Sequence, residues 1–205
     1  MYLVKTSIHE SSIEGNGIFA DEYIPLGTII YFFKKSDAII SVNEISSLPD
    51  EEKNKIVKYG MQDESGNWLL GEGEEKLNHS CDANSLSLFV DDIYCDIAVR
   101  DISEGEEITA DYSLFYSTFP YEIECNCNSS ICRKLITGGL QVDLETQRRW
   151  CMRISEAASH IFDVKQNLFS LDDEEAKRLT LAIKSKCRPR VFPYLKFSLI
   201  SEEYP

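Results

Sequence analysis

The apolar and polar positions in the first two thirds of the chain follow the short rhythm of β-strands. Apolar residues alternate along residues 86–90, and after two aspartates a second apolar run covers residues 93–99, which predicts a hairpin. Short runs rich in β-forming residues predict further strands at Leu3–Ile8, Ile18–Ala20, Thr28–Phe33 and Trp68–Leu70. We therefore predict a mostly β core of short strands.

Two other regions have helical patterns. Pro49-Asp50-Glu51-Glu52 is typical of a first helical turn, and we expect that helix to end before Gly60. After residue 140, apolar positions recur at helical spacing at Leu144, Trp150, Cys151, Ile154, Ala157, Ala158, Ile161 and Phe162. Residues 170–173 resemble the cap of a second helix that runs through Leu179 and Ile183, before Pro189 and Pro193. This part is predicted to be a helical extension packed on the core; the alternative is a surface that binds a partner.

Composition limits the classes of function. The chain has 205 residues, no apolar run of membrane-spanning length and a start unlike a signal peptide, so we expect an intracellular protein, cytoplasmic or nuclear, without membrane contact. The formal net charge of -14 argues against direct binding to nucleic acid and fits a basic, lysine-containing protein partner. Solubility alone would also explain the charge.

Three of the seven cysteines lie close together, between residues 125 and 132. In a secreted chain such a cluster would indicate disulfides. In an intracellular chain it more often binds a metal ion, and we predict the metal site, with disulfides as the alternative.

Three stretches then stand in a characteristic order: Leu77–Asn84, which reads LNHSCDAN, Gly105–Tyr112, which reads GEEITADY, and Cys125–Cys132, which reads CNCNSSIC. Together they resemble the SET-domain protein lysine methyltransferases with a zinc-binding post-SET segment. The Gly15–Ala20 turn matches the first cofactor motif of that family, whereas no helix pattern follows it as a dinucleotide-binding fold would require.

The resemblance implies a binding site for S-adenosylmethionine. The glycine turn is expected to contact the cofactor through its backbone. The side chain of Asn78, in the LNHSCDAN stretch, can both donate and accept hydrogen bonds to the cofactor. An isolated histidine is more often a structural core residue. In the resemblance, His79 is expected to contact the cofactor through its backbone and not to act as a general base. The implied cofactor-binding residues are Asn16, Gly17, Ile18, Tyr59, Asn78 and His79.

Tyr112 is the implied catalytic residue. Methyl transfer from a sulfonium is an in-line displacement that depends on alignment, and the attacking lysine, with a free pKa near ~10.4, must be neutral. A desolvated channel would favour the neutral amine, and Ala110 and Tyr116 are predicted to line it. The family often has an aromatic ring where Ala110 stands, so alanine would leave room for higher methylation states or a bulkier amine. The alternative for Tyr112 is a core aromatic with a satisfied hydroxyl.

The resemblance also implies the zinc ligands. Structural zinc is four-coordinate, and the family completes the set with the cysteine of the Asn-His-Ser-Cys motif. The predicted ligands are Cys81, Cys125, Cys127 and Cys132, whereas Cys95, Cys151 and Cys187 are expected to be ordinary thiols. Such a site would hold the segment against the cofactor loop without taking part in the chemistry.

The implied fold is an α+β protein, mostly β, with the several short-stranded sheets and pseudoknot of a SET domain and a C-terminal helical extension. The predicted boundaries are 1–122 for the SET domain, 123–138 for the post-SET zinc segment and 139–205 for the extension. The implied function is S-adenosylmethionine-dependent methylation of a lysine in a protein, with histones as the family's best-known substrates.

Two alternatives remain: methylation of a small molecule or peptide amine, and a non-catalytic cofactor-binding scaffold. The family usually has an arginine or an aromatic pair where Glu75 and Lys76 stand, so the cofactor contacts there are expected to differ.

Overall fold

The computed structural model describes residues 1–34, 38–62, 66–71, 73–90, 93–114, 122–137 and 142–185. Its helices are α1 (Val42–Ser47), α2 (Asp50–Tyr59), α3 (Leu144–Ser159) and α4 (Glu174–Lys184). Its strands are β1 (Thr6–Glu10), β2 (Asn16–Ala20), β3 (Ile29–Phe32), β4 (Ala38–Ile40), β5 (Met61–Gln62), β6 (Trp68–Leu70), β7 (Asn78–His79), β8 (Ser85–Val90), β9 (Ile93–Ala98), β10 (Glu107–Ala110), β11 (Glu122–Glu124) and β12 (Leu135–Thr137). Over these ranges, a helix long and apolar enough to cross a membrane is absent.

The strands form several small sheets, with the orders β1-β2-β10-β7, β3-β9-β8, β4-β6-β5 and β11-β12. This arrangement, with helices in the C-terminal part, confirms the predicted α+β fold of short-stranded sheets. The predicted hairpin is the antiparallel pair β8–β9, in which Leu88 lies opposite Cys95.

Strand β9 is buried along its whole length because apolar clusters cover both of its faces. Cys95 and Ile97 belong to one cluster and Tyr94 and Ala98 to the other. A strand of this kind has no polar face, so its sequence reads as a continuous apolar run. Asp96 interrupts that run: its carboxylate accepts a 2.7 Å hydrogen bond from the Ser87 hydroxyl, and burial raises its pKa to about 6.

Helices α3 and α4 pack on the sheet that contains β9 and bury an apolar stripe there. Asp143 caps α3, accepting a 2.8 Å hydrogen bond from the backbone N–H of Thr146, and Asp173 caps α4 in the same way. The buried stripe comprises Trp150, Ile154, Ala157, Ala176, Leu179 and Ile183. Leu144, in the first turn, and Phe162, beyond the helix end, are 53% and 55% exposed and do not belong to it.

Other expectations match in part. Helix α2 ends before Gly60 as predicted, whereas the first strand begins at Thr6 and not at Leu3. Helix α1 was not predicted, although Ser41 and Glu44 form a capping box that its sequence could have revealed. Tyr116, Cys187, Pro189 and Pro193 lie outside the described residues.

Candidate active site and cysteine cluster

The Leu77–Asn84 and Gly105–Tyr112 stretches meet through strand pairing. Strands β7 and β10 run parallel, with Asn78 opposite Thr109 and His79 opposite Ala110. The backbone N–H of Ser80 extends this ladder with a 2.9 Å hydrogen bond to the Ala110 carbonyl. Tyr112 lies two residues after the end of β10, so the pairing brings it beside His79 although the two residues are 33 positions apart.

A pocket opens at this point and encloses about 300 Å³ of empty space, part of which is open to solvent. Three of the predicted site residues line it together with a cysteine of the metal cluster. The lining residues are Ile13, Glu14, Asn78, His79, Tyr112, Ile123, Glu124, Cys125 and Asn126. The cavity wall therefore combines apolar, amide and carboxylate groups.

The hydroxyl of Tyr112 is held in place inside this cavity. It donates a 2.7 Å hydrogen bond to the Leu77 carbonyl, and the backbone N–H of Tyr112 donates a 3.1 Å bond to Nδ1 of His79. Burial raises the pKa of Tyr112, and the nearby Glu14, Tyr59 and Glu107 raise it further. The hydroxyl therefore stays protonated and can orient a ligand as a neutral dipole.

His79 has a structural position in this arrangement. Because its Nδ1 accepts from the Tyr112 N–H, its remaining ring proton lies on Nε2, which is 3.3 Å from Sγ of Cys81. Burial, and then the charge of Arg133, lower the pKa of His79 to about 3, so the ring is neutral. This geometry links the tyrosine to the cysteine cluster.

The side-chain amide of Asn78 joins the glycine turn to strand β10. It donates to the backbone carbonyls of Glu14 at 3.0 Å and Asn16 at 3.3 Å, and to Oε1 of Glu107 at 2.8 Å. The other oxygen of Glu107 accepts a 2.8 Å hydrogen bond from the hydroxyl of Ser11. Sequence reasoning missed Glu107, although its place in the Gly-Glu-Glu-Ile-Thr stretch could have indicated it.

The remaining predicted residues lie around the cavity or in the core. Gly17 is buried against Glu107, and Ile18 is a core residue whose strand pairs on both sides, with β1 and β10. Tyr59 is 40% exposed at the end of α2. Ala110 is buried in the same apolar cluster as Ile18. Asn16 and the four residues above are not among the described residues that line the cavity, so their roles stay predictions.

The four predicted metal ligands come together. The sulfur atoms of Cys81, Cys125, Cys127 and Cys132 all lie within 4.8 Å of one another, and those of Cys81 and Cys125 are 3.8 Å apart. A disulfide needs a sulfur–sulfur distance of about 2.05 Å, whereas a tetrahedral zinc site with bonds of about 2.3 Å separates its sulfurs by about 3.8 Å.

The pKa values of the clustered thiols are shifted in opposite directions. Burial raises the pKa of Cys81, whereas hydrogen bonds from neighbouring groups lower that of Cys127 to about 6. The backbone N–H of Arg133 donates a 3.2 Å hydrogen bond to Sγ of Cys81. The four cysteines and their sulfur–sulfur distances fit a four-thiolate zinc site.

A buried carboxylate lies behind the tyrosine. Asp111 accepts hydrogen bonds from the guanidinium of Arg133 at 2.5 Å, the indole N–H of Trp150 at 3.0 Å and the backbone N–H of Ser113 at 3.1 Å. Burial raises the pKa of Asp111, and these donors offset part of that effect. Sequence reasoning missed this cluster.

Comparisons with known proteins agree with the site. Residues 15–113 match the family model of the SET domain. The chain is 30% identical over 131 residues to the histone-lysine N-methyltransferase trr of Drosophila melanogaster, and 28% identical over 134 residues to the human histone-lysine N-methyltransferase 2D. These matches cover 60% of this chain but only 5% and 2% of the two relatives.

Among solved structures, the chain is similar to a Plasmodium falciparum protein described as a histone methyltransferase. The likeness has 23% identity and a TM-score of 0.42, and it covers 53% of this chain and 93% of that one. The segment that the SET-domain model matches carries the glycine turn and both paired motifs.

Proposed function

We propose that the protein is an S-adenosylmethionine-dependent protein lysine N-methyltransferase. The observation that carries the proposal is that Asn78, His79 and Tyr112 line one cavity, with Cys125 of the cysteine cluster at its edge. The names of the two relatives, both histone-lysine N-methyltransferases, support this reaction and a protein substrate.

The cavity wall fits the cofactor. S-adenosylmethionine is a cation that consists of a zwitterionic methionine end, a central sulfonium joined to a ribose, and an aromatic adenine. Asn78 offers an amide, Glu14 and Glu124 offer carboxylates, and Ile13 and Ile123 offer apolar contact. When bound, this molecule supplies an electrophilic methyl group to the attacking amine.

The residues of the chain orient and desolvate the substrate. The Tyr112 hydroxyl donates its proton to the Leu77 carbonyl, 2.7 Å away, and its oxygen keeps lone pairs that can accept a hydrogen bond from a lysine amine. A lysine amine placed there is removed from water, which favours its neutral, nucleophilic form. His79 moves no proton in this scheme, because its Nδ1 is already bonded to the backbone of Tyr112.

Zinc on the four cysteines would have a structural role. Cys81 directly follows the Asn-His-Ser motif and Cys125 lines the cavity, so one ion would join two walls of the site. We also propose an intracellular protein, because free thiolates persist in a reducing compartment. A basic, lysine-containing segment suits the net charge of -14 and the exposed carboxylates of Glu14 and Glu124.

The test is methyl transfer from labelled S-adenosylmethionine to core histones and to a lysate of the source cell. Tyr112→Phe removes the hydroxyl in the cavity, whereas Tyr94→Phe removes a buried hydroxyl that is bonded to Ser87 at 2.8 Å in the core. Label on protein lysines with wild type and Tyr94→Phe, but not with Tyr112→Phe, is the expected result. Label only on small amines or peptides, or cofactor binding without transfer, would overturn the proposal.

A further inference from the structure

We propose that Trp150, in the helix that follows the SET domain, is a positioning residue of the methyl-transfer site and acts through the carboxylate of Asp111. The proposal rests on the proposed function above. Trp150 lies outside the segment that matches the SET-domain model, which ends at residue 113. The α3 helix would then support catalysis in addition to burying the apolar surface of the core.

Asp111 is fixed by donors from separate parts of the chain. Its Oδ1 accepts from Arg133 at 2.5 Å and from the Ser113 N–H at 3.1 Å, and its Oδ2 accepts from Trp150 Nε1 at 3.0 Å. Among the described residues, Trp150 is the donor to Oδ2. Loss of this donor would leave a buried oxygen without a partner, which favours a shift of the carboxylate.

A shift of Asp111 would directly affect the catalytic residue, Tyr112. Asp111 and Tyr112 are neighbours in the chain, and the Tyr112 N–H is already committed to His79 at 3.1 Å. The peptide between them is therefore held from both sides. A misplacement of catalytic groups by about 1 Å can cost roughly 100-fold in rate, so modest freedom here is expected to lower turnover.

Helix α3 is also anchored to the Leu77–Asn84 stretch. Arg153, one turn after Trp150, donates to the Ala83 carbonyl at 2.8 Å and to Oδ1 of Asp82 at 3.3 Å, just after the metal ligand Cys81. The indole also lies beside Arg133, with 5.8 Å between the guanidinium carbon and the ring centre. The helix thus contacts both segments that β7 and β10 bring together.

The test compares Trp150→Phe, which removes the N–H and keeps an aromatic ring, with Ile154→Val in the same helix. Ile154 is buried in the core cluster, so its variant controls for loss of packing. Below the melting temperature of both variants, we expect kcat to fall about tenfold for Trp150→Phe with less than about threefold change in KM. Ile154→Val is expected to stay within about twofold of wild type. Equal kcat for the two variants, after correction for the folded fraction, would overturn the proposal.

A second comparison tests the route through Asp111. In an Asp111→Asn background, Trp150→Phe is expected to cost no further activity, because the group it orients has already changed. Multiplying losses would show that Trp150 acts by another route and would overturn the proposal.

Hydrogen exchange of the Tyr112 amide gives a readout without catalysis. We expect exchange about tenfold faster in Trp150→Phe than in Ile154→Val at equal global stability. A wild type without methyl transfer would defeat the proposed function, whereas unchanged exchange would defeat the positioning role.

Discussion

The side-chain amide of Asn78 lies 2.8 Å from Oε1 of Glu107 and donates a hydrogen bond to it. The same amide reaches the carbonyl of Glu14, so one side chain joins the glycine turn, the Asn-His motif and strand β10. The hydroxyl of Ser11 donates to the other oxygen of Glu107. The carboxylate is therefore fixed, and it positions Asn78, which lines the cavity.

Removal of that carboxylate is expected to weaken cofactor binding. Glu107→Ala leaves Asn78 without a charged acceptor and should reduce the affinity for S-adenosylmethionine by about tenfold, which corresponds to a charge-assisted hydrogen bond of roughly 1.5 kcal/mol. Glu107→Gln keeps an acceptor oxygen for Asn78 and should stay within about threefold of wild type. Titration calorimetry measures both, and equal affinities for Glu107→Ala and wild type would contradict this role.

Gly17 is expected to be intolerant of a side chain for the same reason. A Cβ atom at this position would lie 2.1 Å from Oε1 of Glu107, so Gly17→Ala must displace the carboxylate that Asn78 and Ser11 hold. Cofactor affinity should fall in Gly17→Ala. In a Glu107→Ala background the same change should cost little more, and additive losses measured by calorimetry would argue for another cause.

The cysteine cluster is expected to bind one zinc ion per chain. Cys127→Ser removes a thiolate whose pKa is lowered to about 6 and should lose the metal, measured by elemental analysis of the purified protein. Cys151→Ser, in α3 and outside the cluster, is the matched control and should keep it.

Chelation of the zinc should also lower the melting temperature and weaken cofactor binding, because Cys125 lines the cavity. Full metal content in Cys127→Ser would exclude this ligand set.

Asp96 gives a pH-dependent prediction for stability. Its pKa is raised from 3.8 to about 6 by burial, so the folded protein carries an ionised, desolvated carboxylate at pH 7. Asp96→Asn should therefore stabilise the protein at pH 7, by up to about 3 kcal/mol.

As the pH falls below about 6, the carboxyl group is protonated in the folded state first, so wild type gains stability relative to the variant. The difference between them should shrink toward pH 4, which urea unfolding at the two pH values measures. An advantage of the variant that stays constant with pH would count against burial of an ionised group.

Short-range sequence patterns predicted the features that depend on residues close together in the chain. Alternation located the β8–β9 hairpin, the acidic turn after Pro49 located α2, and the three ordered motifs located Asn78, His79 and Tyr112. The cysteine spacing, together with the family resemblance, gave a ligand set whose sulfurs do meet.

Long-range contacts could not be read from the sequence in the same way. Asp111 and Trp150 are 39 positions apart, and their hydrogen bond depends on where α3 packs against the sheet. Ile13 and Glu124 reach the cavity only because the glycine turn and β11 come together in the fold. Ile18 and Ala110 lie in motifs, yet their side chains are in the core, because alternate residues of a strand face opposite sides.

The short parallel ladder between β7 and β10 has a kinetic consequence. Only two residue pairs join these strands, and the contact closes a loop between distant parts of the chain. Contacts of this kind form late, since the entropy of loop closure must be overcome before the ladder contributes energy. The hairpin β8–β9 lies within that loop and can form first. The cavity is therefore among the last features to form during folding. A ligand that binds in it stabilises only those chains that have completed the whole fold.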